Sequence, residues 1–314
     1  MRERAIRFGQ NSMIGVLTEP APEERIPDAP VVLFLNSGLL HRVGACRFHV
    51  RAARALAPRG FTSLRFDFSG VGDSEPRKDA LAFEEASVSD VREAMAYLEK
   101  NRNARSFVLI GLCSGADMAY ETARVDPRVE AIGQLDAYVY RTWRFYLHRY
   151  APRLVKSQTW INVLTGKTVF GPFIRKLLKT RGQGDGEQEA DQNLEISPYA
   201  REFPPKEVVA AGLKTLVNRG VRFFNFFSGD ACKYRAQYLD CFRDVGFGNQ
   251  LRLEFISASD HLVTKLPDQE YLVGAMTDWV AGLHSEPVVT PAAQPVPSQG
   301  SRSSGRNRSR VDVS

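Results

Sequence analysis

One short segment carries most of the chemistry legible in this chain. It runs Phe107, Val108, Leu109, Ile110, Gly111, Leu112, Cys113, Ser114, Gly115, Ala116, Asp117. An apolar strand passes directly into the pattern small-x-nucleophile-x-small, and a helix follows. A turn this tight tolerates only small residues two before and two after the nucleophile, because larger side chains would strike the strand and helix backbones. Gly111 and Gly115 frame Cys113 in this way. Framing Ser114 instead would put Leu112 and Ala116 at those positions, and Leu112 is too large. The spacing selects Cys113, and the chemistry it implies is nucleophilic acyl transfer. The structural alternative is a small buried apolar residue, as lone cysteines usually are; the strand, the two glycines and the helix favour the nucleophile. A free thiol has a pKa near ~8.5, so only a few per cent is thiolate at neutral pH. A histidine partner and the N-terminus of the following helix would raise that fraction.

The other reactive side chains are few. Five histidines stand at 41, 49, 148, 261 and 284, and four cysteines at 46, 113, 232 and 241, with no C-x-x-C pair. No cluster has metal-ligand spacing, so neither a metal nor an organic cofactor is implied.

These residues need a scaffold, and the hydrophobic pattern supplies one. Residues 4–8 and 13–18 read as an opening hairpin. Val31–Leu35 is a continuous apolar run, as a buried parallel strand requires. Residues 45–58 read as a helix stopped by Pro58 and Gly60, and 62–66 as the next strand. A helix near 88–101 places Val91, Ala94, Met95 and Leu98 on one face. Further strands are expected over 106–110, 129–135, 221–227 and 251–256, a helix from about 114, and a closing helix over 268–283. Strands alternating with helices predict an α/β fold: a mainly parallel central sheet covered on both faces.

At this point the sequence resembles the α/β-hydrolase superfamily, over about residues 1–284. The cysteine elbow resembles the dienelactone-hydrolase type. The segment Asp67, Phe68, Ser69, Gly70, Val71, Gly72, Asp73, Ser74 is similar to the Asp-x-x-Gly-x-Gly-x-Ser loop common in these folds. In flavour the elbow is similar to those of bacterial hydrolases associated with exosortase and exopolysaccharide systems. The resemblance implies a base after the last strand, which makes His261 the expected base. The acid is expected just after the penultimate strand, at Asp230, where it would orient the imidazole and stabilise the imidazolium. Asp260, adjacent to His261, and Asp240, on a helix, are weaker candidates. The oxyanion donors are expected to be the Ser114 N–H and an N–H of the loop after strand 31–35, with Leu39 preferred and Gly38 allowing the close approach. That loop departs from the His-Gly form often seen in the superfamily. His41 and Arg42 either contact substrate or form a loop salt bridge, and His148 is a weak substrate-contact candidate.

Residues 137–205 break the strand–helix alternation and read as a helical cap inserted between the two parts of the core, 1–136 and 206–284. From 137 to 184 this insertion holds ten Lys and Arg and no acidic residue. The block fits steering of an anionic substrate such as an acyl-CoA, contact with an anionic membrane surface, or a solvated face with an aromatic underside. Nucleic acid fits poorly, since no recognised binding module is present. Residues 285–314, rich in Pro, Ser, Gly and Arg, read as a disordered tail.

Composition bounds the rest. The 314 residues are 43% hydrophobic and 25% charged, with a formal charge of +6. Four cysteines are too few for a disulfide scaffold of this size, and no apolar run approaches the ~18 residues a membrane span needs. The N-terminus has charges but no apolar signal region, so the expected location is cytoplasmic. The reading is a hydrolase acting on a small-molecule acyl substrate, an ester, lactone or thioester, through an acyl-cysteine intermediate. Two alternatives stay open: an acyltransferase using a thioester donor, and a non-catalytic binding scaffold on the same fold.

Overall fold

The computed structural model describes residues 1–154, 201 and 203–285. Its centre is an eight-stranded sheet with strand order β1-β2-β4-β3-β5-β6-β7-β8. The strands are β1 (Arg2–Phe8), β2 (Met13–Glu19), β3 (Val31–Leu35), β4 (Ser63–Phe66), β5 (Phe107–Leu112), β6 (Val129–Leu135), β7 (Arg222–Ser228) and β8 (Leu251–Ile256). The expected opening hairpin is present, with β1 antiparallel to β2 and β2 antiparallel to β4. All pairings from β4 through β3, β5, β6 and β7 to β8 are parallel. The carboxyl ends of six strands therefore open on one edge of the sheet, where ligand sites of parallel sheets form.

Alternation along the strands divides the core. Val32 and Phe34 of β3, Val108 and Ile110 of β5, and Phe224 and Phe226 of β7 face one side. There they meet α1 (Phe48–Leu56) and α7 (Leu266–Ser285), the latter through Leu272, Met276, Trp279 and Val280. Leu33, Leu35, Phe107 and Leu109 face the other side. They meet α2 (Phe83–Arg102), α3 (Ser114–Val125) and α5 (Lys206–Asn218). β3 and β5 are buried at every residue, which explains their unbroken apolar runs; β4 is equally buried although it carries Ser63 and Arg65.

Some boundaries differ from expectation. α2 begins five residues earlier than the apolar stripe suggests. Glu84 and Glu85 occupy its first turn, where acidic side chains complement the helix dipole. α5 was not anticipated from periodicity, whereas the short α6 (Gln237–Cys241) carries Asp240 as expected. Only the start of the expected insertion is described, as α4 (Trp143–Leu154), together with Arg201 and residues 203–205 at its end. The remainder of the expected cap, including its acidic stretch 182–191, and the expected tail 286–314 lie outside the described residues.

Candidate active site

β5 runs into α3 through Cys113, which adopts φ 55°, ψ −121°. A side-chain-bearing residue there is strained, on the order of 1–3 kcal/mol, and such strain collects at functional sites. The flanking glycines are obligatory. A Cβ on Gly111 would lie 2.2 Å from the Gly115 carbonyl carbon, and one on Gly115 would lie 2.5 Å from the Asn36 carbonyl oxygen. The second contact also shows that the loop after β3 abuts the elbow directly. Cys113 itself is half-buried. It stands at the N-cap of α3, where the helix dipole favours a thiolate.

His261 follows β8 and reaches the elbow. Its imidazole lies close enough to the Cys113 side chain for each group to shift the other's protonation. Its Nδ1 lies 2.6 Å from Oδ2 of Asp136. Asp136 is the residue immediately after β6, is 2% exposed and has φ 51°. Its carboxylate also accepts the Ser228 backbone N–H and hydroxyl, both at 2.8 Å. That fixes its orientation from the end of β7.

The carboxylate that meets the imidazole is therefore Asp136 and not the expected Asp230. Asp230 is exposed, and its Oδ2 accepts the backbone N–H of His261 at 2.9 Å rather than touching the ring. Asp230 lies two residues beyond Ser228, outside the sheet edge, whereas the left-handed backbone at Asp136 keeps its carboxylate at the end of β6, between β5 and β7. Asp260 caps the following turn through the Leu262 and Thr264 N–H groups, and Asp240 pairs with Arg144, Arg243 and Tyr234. The signal for Asp136 was present in sequence: an Asp at the carboxyl end of a parallel strand, between nucleophile and base in chain order.

The charges reinforce one another. Burial pushes the Cys113 thiol up, but the hydrogen bond with His261, the positive charges of Arg201 and His261, and the Ser114 N–H hold it below the ordinary thiol value. The hydrogen bonds to Asp136 and then Cys113 outweigh burial at His261, whose imidazole is pushed up to about 10. Near neutral pH this arrangement favours thiolate beside imidazolium.

The expected oxyanion donors separate. The Ser114 N–H is among the groups that hold the Cys113 thiol below its ordinary value. The Gly38 N–H is already committed, donating to the Ser114 hydroxyl at 2.8 Å. Residues 37–40 form a turn closed by the Leu40 N–H on the Ser37 carbonyl at 2.9 Å. Leu39 sits at its tip with its side chain 69% exposed. Its N–H has no hydrogen-bond partner among the described residues.

Arg42 resolves toward the salt bridge. Its backbone N–H and guanidinium both bind the fully buried Asp67, and its Nη2 binds Asp73 at 2.6 Å. Asn36, buried at the foot of the same loop, donates to the Leu40 carbonyl and accepts the Phe68 N–H, both at 2.7 Å. The Asp67–Ser74 loop thus braces the loop after β3. His41 is exposed, and His148 is exposed with its ring stacked on Tyr234 at 4.3 Å. Neither joins the Cys113–His261–Asp136 cluster. Of the ten basic residues noted between 137 and 184, only Arg141 and Arg144 have described side chains; Arg141 lies over the Phe145 ring and Arg144 pairs with Asp240. Among the described residues no group of His, Cys, Asp and Glu is gathered as a metal ion would need. No described helix is long and apolar enough to cross a membrane.

No family model matches the chain, and no curated protein matches it by sequence. Solved structures do. A proline iminopeptidase from Mycobacterium smegmatis is similar at 13% identity and TM-score 0.56, over 91% of this chain and all of that one. An α/β serine hydrolase without lid from Xanthomonas campestris is similar at 13% identity and TM-score 0.52, over 90% and 95%. A dienelactone hydrolase from Anabaena variabilis is similar at 14% identity and TM-score 0.50, over 88% and 96%. At these identities the likeness shows the fold, and the fold is that of the α/β hydrolases.

Proposed function

We propose that this chain is a hydrolase that cleaves an ester, lactone or thioester of a small acyl substrate through a covalent acyl-cysteine intermediate. Cys113 is the nucleophile, His261 the base and Asp136 the acid. The observation that carries the reading is the single imidazole held between the Cys113 side chain and the buried Asp136 carboxylate. The strained backbone at Cys113, Asp136 and Val263 supports it, because three of the eight described non-glycine residues with positive φ lie at or beside this cluster. A non-catalytic scaffold has no use for that strain.

The chemistry follows from the positions. The Cys113 thiolate attacks the acyl carbon, and a tetrahedral oxyanion forms. In this reading the Ser114 N–H, at the start of α3, and an N–H of the 37–40 turn receive it; losing one such donor costs about 3 kcal/mol of transition-state stabilisation. The His261 imidazolium then gives its proton to the leaving group, leaving a thioester on Cys113. The neutral imidazole next takes a proton from water, hydroxide adds to the thioester, and the thiolate leaves. Asp136 holds the Nδ1 proton throughout and stabilises the imidazolium.

The test is a p-nitrophenyl ester assay combined with mass spectrometry of the intact protein. Cys113→Ala should abolish turnover and the acyl adduct. Ser114→Ala should keep turnover within about tenfold of the parent, since it removes one acceptor of the Gly38 N–H, a bond of about 1 kcal/mol. The reverse pattern would move the nucleophile to Ser114, and an adduct on Cys46, Cys232 or Cys241 would end the proposal.

A further inference from the structure

Directly beneath the elbow lies an ion pair that the reaction does not consume. Arg201, near the end of the 137–205 segment, donates from Nη2 to Asp117 Oδ1 at 2.5 Å and from Nε to Asp117 Oδ2 at 2.6 Å. Its Nη1 donates to the backbone carbonyl of Asp136 at 3.0 Å. Its guanidinium stacks between two rings, 5.1 Å from the Tyr138 centroid and 4.8 Å from that of Phe203. The side chains of Arg201 and Asp117 are 18% and 4% exposed. Asp117 lies in the first turn of α3, and its own N–H bonds the Cys113 carbonyl at 3.1 Å.

An acidic residue in that turn normally suits a helix N-terminus. Here the residue at the N-cap must itself carry negative charge, and a bare carboxylate one turn away would oppose it. A buried, unpaired carboxylate is also costly. Arg201 offsets both difficulties in part: burial pushes the Asp117 carboxyl up to about 6 even with the guanidinium's hydrogen bonds and charge pulling it down. A bidentate guanidinium opposes the Asp117 charge, and the same side chain reaches the strand end that carries Asp136. Arginine suits this role because its planar fork can satisfy a carboxylate and a carbonyl while stacking on aromatic faces.

We propose that Arg201 is a positioning residue for the Cys113 reaction: clamped by Asp117, it ties the end of the 137–205 segment to the elbow helix and to the Asp136 strand end, and offsets the Asp117 charge that would otherwise oppose a Cys113 thiolate. This rests on the proposed role of Cys113. The direction of the charges agrees, since the Arg201 charge is among the influences that pull the Cys113 thiol down, and the Cys113 thiolate is among those that hold Arg201 protonated.

The experiment follows iodoacetamide alkylation of Cys113 against pH, site-mapped by mass spectrometry, in the parent protein and in Arg201→Gln, Arg201→Lys and Asp117→Asn. It needs no substrate, so its outcome is separable from the hydrolase reading, which Cys113→Ala turnover tests. Arg201→Gln should move the titration midpoint up and slow alkylation at neutral pH by on the order of tenfold, as loss of a nearby unit charge at an effective dielectric constant near 20 gives. Asp117→Asn leaves the Arg201 charge uncancelled and should move the midpoint down. Arg201→Lys keeps the charge and should keep most of the profile. A merely structural bridge would lower folding stability in all three variants without moving the midpoint in opposite directions. Folded variants, matched to the parent by near-UV circular dichroism, whose midpoints stay put or move the same way overturn the proposal. Should Arg201→Gln fail to fold, an unmoved midpoint in Asp117→Asn overturns it alone.

Discussion

The sharpest prediction concerns which carboxylate serves His261. Asp136→Asn removes the charge 2.6 Å from the imidazole Nδ1 while keeping the side chain's size. A unit charge pair separated by about 4 Å at an effective dielectric constant near 20 is worth about 4 kcal/mol. The His261 side chain is 37% exposed, so solvent screens part of this. Halving the figure to about 2 kcal/mol leaves a loss of roughly 30-fold in acyl-transfer rate from charge alone. The amide adds a second effect. The Ser228 N–H and hydroxyl both donate to the Asp136 carboxylate, so an asparagine there would keep its oxygen toward Ser228 and turn its NH2 toward the ring. The imidazole would then accept at Nδ1 and carry its proton on the nitrogen facing Cys113, the wrong form for taking the thiol proton. Where such a reversal is complete the loss reaches about 10⁴. Asp230→Asn should cost less than about tenfold, because the asparagine oxygen can still accept the His261 backbone N–H in a single hydrogen bond. The assay is kcat/KM on a p-nitrophenyl ester for both variants, with thermal unfolding to confirm that each is folded. A folded Asp230→Asn that loses as much as Asp136→Asn would refute the assignment.

Three further outcomes follow from the same geometry. Gly115→Ala puts a Cβ 2.5 Å from the Asn36 carbonyl oxygen, so the elbow or the loop after β3 must shift; overpacking of this kind costs about 1–3 kcal/mol, and calorimetry should show a lowered Tm together with lost turnover. The imidazolium at His261, pushed up to about 10, predicts turnover that falls as pH rises through about 10. Because this group is raised above its unfolded value of 6.5, its contribution to stability is full below pH 6.5 and is lost as pH rises through about 10, which urea midpoints against pH will check. His49 behaves oppositely: burial pushes it down to about 4, so stability present above pH 6.5 is lost as pH falls toward 4. His49→Gln should flatten that acid loss, and an unchanged slope of stability against pH would count against the assignment.

Much of the scaffold was legible before any coordinates. The buried runs of β3 and β5 are continuous in apolar residues because both faces of a central parallel strand are covered. The elbow was legible too, since a Cβ added at Gly111 or Gly115 would lie 2.2 or 2.5 Å from neighbouring backbone and only glycine avoids the clash. α5 escaped the reading because it follows directly on a segment whose pattern breaks the alternation, and α2 extended past its apolar stripe on a charged first turn. The proposed base could be placed by chain order, as His261 is the histidine in the loop that follows the last strand, His284 lying at the end of the closing helix.

The acid could not. Asp136 and Asp230 each follow a parallel strand between Cys113 and His261 in chain order, and nothing local separates them, while Asp67 follows a strand ahead of Cys113. Asp67 is taken by Arg42, Asp230 by a backbone N–H, and Asp136 by the His261 ring. Which one meets the imidazole depends on how the β8 loop crosses the ends of β7 and β6, a relation between segments 125 residues apart in the chain. The same holds for Arg201, whose partners on α3 and at the end of β6 lie 84 and 65 residues away. Sequence by itself determined what is local: strand, turn, helix, and the residue that the turn exposes. Tertiary structure decided which charges face that residue, because an electrostatic partner is chosen by distance in space and by burial, and neither is written in the order of the chain.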